Sequence, residues 1–160
     1  MNLTSPLPPA PTTSLTRRRF GALVAGSALV GSPLVRAQSG NRIVLGQSAA
    51  LTGAAAQLGL QFHAGAKLHF DAINAAGGVN GQRIEIVNLD DGYEPDRCAE
   101  NTRKLLKDDV FALFGYIGTP TSLAALPLAL QASTPFIAPF TGAMGLRQPF
   151  NKLVFHLRAS

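Results

Sequence analysis

At 160 residues and 16.7 kDa, the chain has the length of one domain. A composition of 46% hydrophobic and 14% charged residues excludes a disordered chain. A single cysteine excludes an internal disulfide framework and any CxxC-type zinc site, and no apolar run reaches the roughly 18 residues needed to span a bilayer.

The net charge of +5 is concentrated at one end. Residues 1–37 hold Arg17, Arg18, Arg19 and Arg36 and no acid, whereas the ten basic and nine acidic residues of 38–160 nearly cancel. The body therefore has no electrostatic case for binding nucleic acid. The N-terminal stretch reads as an export address. Thr16-Arg17-Arg18-Arg19-Phe20 precedes a mildly apolar segment at 21–31, the size of a signal-peptide core. Val35-Arg36-Ala37 predicts cleavage after Ala37, with a mature chain starting near Gln38 in the periplasm. The arginine pair and Phe20 resemble the twin-arginine signal, although Gly21 stands where a Leu is usual; a Sec signal with extra arginines is the other reading. No Cys at the cleavage site means no lipid anchor is expected.

Beyond the signal, 42–47 (RIVLGQ) predicts a strand, followed by a small-residue loop to Leu58. The helical period over 59–76 places Phe62, Ala66, His69, Phe70 and Ile73 inward and His63, Lys67, Asp71 and Asn74 outward, with Gly77-Gly78 as the stop. A second strand is expected over 82–89. The loop 90–94 follows, then a helix opened by Pro95 and running to about Asp108, with Cys98, Thr102, Leu105 and Leu106 inward. A third strand over 110–114 leads through the loop 115–118 to Thr119-Pro120, which reads as an N-cap and first-turn Pro of a helix to about Ala132, kinked or broken at Pro127. Fourth and fifth strands are expected over 135–138 and 153–157. This alternation predicts an α/β fold: a doubly wound parallel sheet with helices on both faces.

Ligands of such sheets bind beyond the carboxyl ends of the strands, so the loops 47–58, 90–94, 115–119 and 139–145 are the candidates. The first, third and fourth hold no charged residue. They offer Ser48, Thr52, Gln57, Thr119, Thr121, Ser122 and Thr141, bare backbone at Gly115, Gly118 and Gly142, and apolar walls at Leu58, Tyr116 and Phe140. A neutral, hydroxyl-rich rim above a helix N-terminus suits a small carboxylate or amide; the alternative is that Thr119 only caps its helix while Thr121 and Ser122 decorate the first turn. Signs of catalysis are missing. His63 and His69 fall on different faces of one helix, His69 reads as a core residue, and Cys98 reads as structural. Asp90-Asp91 reads as a solvated turn rather than a metal site, and neither GxGxxG nor a P-loop is present. No enzyme activity, cofactor or metal is expected.

The segments IVLGQSAALTGAAAQLG, INAAGGVNGQRIEI with the following DDGYEP, FALFGYIGTPTSLAALP and PFIAPFTGA resemble the first lobe of periplasmic substrate-binding proteins of ABC importers, of the leucine/isoleucine/valine-binding type (type I periplasmic binding fold). The match covers essentially all of 42–158. The resemblance implies an N-terminal lobe over 38–160, two α/β lobes closing on a ligand, an amino acid or amide as that ligand, and an ABC permease of the inner membrane as partner. A ligand-sensing domain of a receptor or two-component sensor is the alternative. By position, Leu58 stands where the family often has an aromatic lid. Thr119 stands where a hydroxyl meets the ligand carboxylate. Phe140-Thr141-Gly142 stands where the site is completed, and with Gly118 and Thr121 these form the expected ligand-binding set. Tyr93 and Gly118 occupy the positions of a family disulfide, which is therefore absent, and Ser160 lies about where relatives first cross to the second lobe.

Overall fold

The computed structural model describes residues 42–160, so the export-signal reading of 1–37 lies outside the described residues. Five parallel strands, β1 (Arg42–Ala49), β2 (Arg83–Asp90), β3 (Ala112–Phe114), β4 (Phe136–Ile137) and β5 (Val154–Phe155), lie in the order β2-β1-β3-β4-β5. Three helices connect the first four: α1 (Ala56–Ala75), α2 (Pro95–Lys107) and α3 (Thr119–Gln131). The chain steps outward from β1 to β2, then crosses back to β3 on the other side of β1. The reversal of strand order therefore falls between β1 and β3, where their C-terminal loops part.

Successive strand residues point to opposite faces, and β3 uses both. Leu113 packs with Cys98, Leu105, Ala125, Ala129 and Phe136 in the buried core under α2 and α3. Its neighbour Phe114 faces α1, with ring centroids 5.9 Å from Phe62 and 5.5 Å from Phe70. Burial on both faces is what the apolar strands demand in a parallel sheet.

α1 packs differently from its sequence period. His69 is exposed, whereas His63 and Asn74 turn toward the sheet and are half-buried. Polar bonds to the strands set this rotation. His63 Nδ1 lies 2.8 Å from Gln47 Oε1. Asn74 donates to the Ile84 carbonyl and accepts from the Ile84 N–H, each at 2.8 Å. Asn74 thus pairs with the outer edge of β2 as a neighbouring strand would, and blunts that edge. The only buried residue of α1 is Gly59. A Cβ there would collide with the Ala50 carbonyl, so glycine lets the helix start hard against the end of β1.

α3 runs unbroken through Pro127, contrary to the expected break. The hydrogen bond Pro127 cannot make would reach Leu123, four residues back. Both residues lie on the exposed side of the helix, where water can take the carbonyl. β1 continues two residues further than expected. β3 begins later because Phe111 turns outward, and a short 3-10 turn (Met144–Leu146) interrupts the expected 139–145 loop.

Replacing Asn74 with Ala leaves the N–H and carbonyl of Ile84 without their partner at a part-buried edge. The expected loss is about 1–2 kcal/mol in urea unfolding. Substitution at exposed Leu68 on the same helix is expected to stay within about 0.5 kcal/mol.

Candidate functional site

The site rests on two adjacent carboxylates at the end of β2. Asp90 Oδ1 accepts from the backbone N–H groups of Leu51 (2.8 Å), Thr52 (3.1 Å) and Gly92 (3.0 Å). Its Oδ2 accepts from Thr52 Oγ1 (2.7 Å) and the Arg97 guanidinium (2.9 Å). One carboxylate therefore binds the loop after β1 to the loop after β2. Partial burial alone would raise its pKa. The donors from Leu51, Thr52, Gly92 and Arg97 outweigh that and hold it well below the usual carboxylate range.

Asp91 is fully buried, which corrects the reading of this pair as a solvated turn. It accepts from Ser48 Oγ at 2.7 Å and from the Tyr93 N–H at 2.9 Å. Burial pushes its pKa up, against the pull of those two donors. Ser48 in turn accepts from Asn101 Nδ2 at 3.2 Å, so it belongs to this buried network and not to the rim. Cys98 lies beside it with Sγ 3.4 Å from the Thr121 carbonyl; burial pushes the thiol up to about 12, as its structural reading requires. Among the described residues no group of three or more His, Cys, Asp and Glu side chains could hold a metal ion.

Above this base opens a cleft of about 500 Å³, lined by Leu58, Tyr93, Gly118, Thr119, Phe140, Thr141, Gly142, Arg158, Ala159 and Ser160. Every strand contributes to it through the segment that follows its carboxyl end: Leu58 after β1, Tyr93 after β2, Gly118 and Thr119 after β3, Phe140 to Gly142 after β4, and Arg158 after β5. Thr119 and Thr141 share a hydroxyl–hydroxyl hydrogen bond of 2.6 Å, and Thr141 Oγ1 also accepts from the Ala143 N–H at 3.1 Å. Gly118, not Thr119, is the N-cap of α3, and no side chain caps the helix. Thr119 is thus the first helical residue, its hydroxyl free of any capping role. Phe140 is braced edge-on by Phe62 at 5.6 Å, and the Arg158 guanidinium lies 5.4 Å from the Phe140 centroid.

Six of the seven expected side chains or glycines come together here: Leu58, Gly118, Thr119, Phe140, Thr141 and Gly142. Thr121 does not. It is fully buried, and its hydroxyl donates to the carbonyls of Ile117 (2.5 Å) and Gly118 (3.2 Å), as a Thr in a first helical turn often does. Tyr116 is not a wall either. It is wholly buried, edge-on to Phe136 at 5.0 Å, with its hydroxyl 3.0 Å from Thr102 Oγ1.

Four lining residues, Tyr93, Arg158, Ala159 and Ser160, escape a residue-type reading. Tyr93 carries φ +71°, a left-handed conformation costing roughly 1–2 kcal/mol for a bulky residue, and the end of its ring lies against Gly118. Tyr93 and Gly118 thus face each other, and a bare Cα makes room for the ring. Arg158, Ala159 and Ser160 follow the last strand, beyond the candidate loops.

A family model described as a periplasmic binding protein matches residues 42–160. The leucine-, isoleucine-, valine-, threonine- and alanine-binding protein of Pseudomonas aeruginosa is 28% identical over 138 residues, 86% of this chain and 37% of that protein. The solved structure of a possible leucine/isoleucine/valine-binding protein from Rhodopirellula baltica superposes with a TM-score of 0.66 and 40% identity, covering 68% of this chain and 30% of the other. A branched-chain amino acid transporter substrate-binding protein from Streptococcus pneumoniae, solved with isoleucine, gives 0.63 and 28%, covering 75% and 34%. The chain thus spans 30–37% of the length of these relatives.

The acid limb of stability tests the Asp90 bonds. A carboxyl held below its ordinary value of 3.8 contributes stability that is complete above about pH 4 and is lost as pH falls through the lowered value. Asp90→Asn is expected to cost roughly 2–3 kcal/mol at pH 7. It should also flatten the fall in unfolding free energy between about pH 4 and pH 2, measured by urea titration at each pH. An unchanged acid limb would contradict this assignment.

Proposed function

The chain belongs to the periplasmic binding protein family, and on that premise we propose that it is the first lobe of an exported solute-binding protein that takes up a small amino acid or related amide and presents it to an ABC permease. The observation that carries this reading is the Thr119–Thr141 hydroxyl pair at the uncapped N-terminus of α3. An uncapped helix start offers free N–H groups and a partial positive charge to a ligand carboxylate, and the two hydroxyls add donors beside it. Leu58 and Phe140 flank the pair and suit an apolar ligand body. Relatives named for leucine, isoleucine, valine, threonine and alanine support an amino acid as the ligand.

In this reading 1–37 is a twin-arginine export signal and 38–160 the binding lobe, working in the periplasm. There is no chemical step; function is capture and release. A cleft open to solvent on one side needs a second wall to bury its ligand, which in a two-lobed protein comes from the other lobe on closure. The lobe by itself therefore holds its ligand weakly.

Saturation-transfer NMR of the chain with millimolar L-leucine should detect binding that Thr119→Val abolishes and Leu68→Ala leaves intact. The thermal-shift gain should stay far below the ~2.7 kcal/mol expected at a hundredfold excess over a dissociation constant. A gain of that size would mean that one lobe suffices. For export, a reporter fused to 1–37 should lose periplasmic delivery when Arg17 and Arg18 both become Lys; undiminished delivery would assign the segment to the Sec route.

A further inference from the structure

We propose that Tyr93 sets the ligand class of this cleft, selecting a carboxylate that carries an aromatic body over one with a branched aliphatic body. The inference rests on the reading of the cleft as the ligand site. Three observations carry it.

Tyr93 is held where its side chain would not sit by default. Its φ of +71° is a conformation that bulky L-residues avoid. The buried Asp91 fixes it there through the Tyr93 N–H at 2.9 Å, while the Asp91 carbonyl accepts from the Glu94 N–H at 2.9 Å. Asp91 is itself immobilised by Ser48, and Ser48 by Asn101. A network this deep, ending on a strained aromatic residue, positions that residue.

The ring also lies in the cleft. A Cβ on Gly118 would overlap the ring edge and come within 2.7 Å of the phenol oxygen, so glycine at 118 is what admits the ring beside Thr119. Gly118 itself has φ +97°, a second reason for that glycine.

The phenol, finally, is unused. Tyr93 remains 38% exposed, and its hydroxyl makes no hydrogen bond with the described residues. It stands in the same cleft as Phe140, whose ring Phe62 holds from behind at 5.6 Å. With the Arg158 guanidinium over Phe140, the Tyr93 ring is the open aromatic wall beside the hydroxyl pair, and it favours a ligand that offers its own ring for edge or offset contact. A branched aliphatic body gains nothing from ring geometry beyond the area it buries.

L-Phenylalanine and L-leucine share one head group, so their ratio isolates the body of the ligand. Dissociation constants come from saturation-transfer NMR on the whole chain. Tyrosine emission gives a second readout, because the chain has no Trp and two Tyr, of which Tyr116 is fully buried. Phenylalanine is expected to bind about tenfold tighter than leucine and to change the emission. Tyr93→Gly keeps the left-handed backbone without strain; it should bring the ratio near one by weakening phenylalanine alone, while Tyr93→Phe keeps most of the preference. A ratio unchanged in Tyr93→Gly, or a preference for leucine in the unaltered chain, would overturn the role of Tyr93 while Thr119→Val still weakens both ligands. No binding of either ligand would overturn the cleft reading and this proposal together.

Discussion

The cleft depends first on the Asp90 carboxylate. Five donors from three segments converge on its two oxygens, and through them the loop after β1 is tied to the start of α2. The first of these loops leads into α1 with Leu58, and the second carries Tyr93, two of the cleft walls. A short polar loop has little apolar area with which to fix itself. Charge-assisted bonds to backbone N–H groups supply the rigidity that packing cannot. The neighbouring Asp91 does the opposite job from inside the core, giving up hydration to orient Tyr93 and Ser48.

The remaining walls are held by the sheet. Gln47, a buried residue of β1, donates to the Gly115 carbonyl after β3 at 3.0 Å and meets His63 of α1, so the crevice where strand order reverses is closed at its base. The Phe140 N–H donates to the Tyr116 carbonyl at 2.7 Å, which joins the segments leaving β3 and β4. Thr119 and Thr141 can then meet across 22 residues of sequence. What remains at the top is a neutral hydroxyl pair beside a helix start, with Arg158 as the one charged side chain among the lining residues. That electrostatic profile suits a ligand carboxylate.

Much of this was legible in the sequence. Strand and helix alternation, Pro95 at a helix start and the stop at Gly77-Gly78 follow from local chemistry, and the hydroxyl and glycine positions of three loops marked most of the cleft. The errors share a cause. The apolar period misplaces His69, His63 and Asn74, because polar bonds to Gln47 and Ile84 set the rotation of α1. Asp90-Asp91 reads as solvated because two acids in a Gly-containing turn usually are, whereas Ser48, Leu51 and Thr52, which donate to them, lie some 40 positions away. Thr121 and Tyr116 are of the right type for a site, yet one bonds its own helix turn and the other the core. Tyr93 enters the cleft only through its positive φ, which no residue-type rule assigns to tyrosine.

The most direct measurement is an amide chemical-shift titration of the ¹⁵N-labelled chain with L-phenylalanine. Ligand capture at the carboxyl ends of the strands predicts shifts concentrated at Tyr93, Thr119, Thr141 and Gly142. Shifts confined to the separate groove between α1 and β2, at Lys67, Asp71, Arg83 and Glu85, would contradict the account.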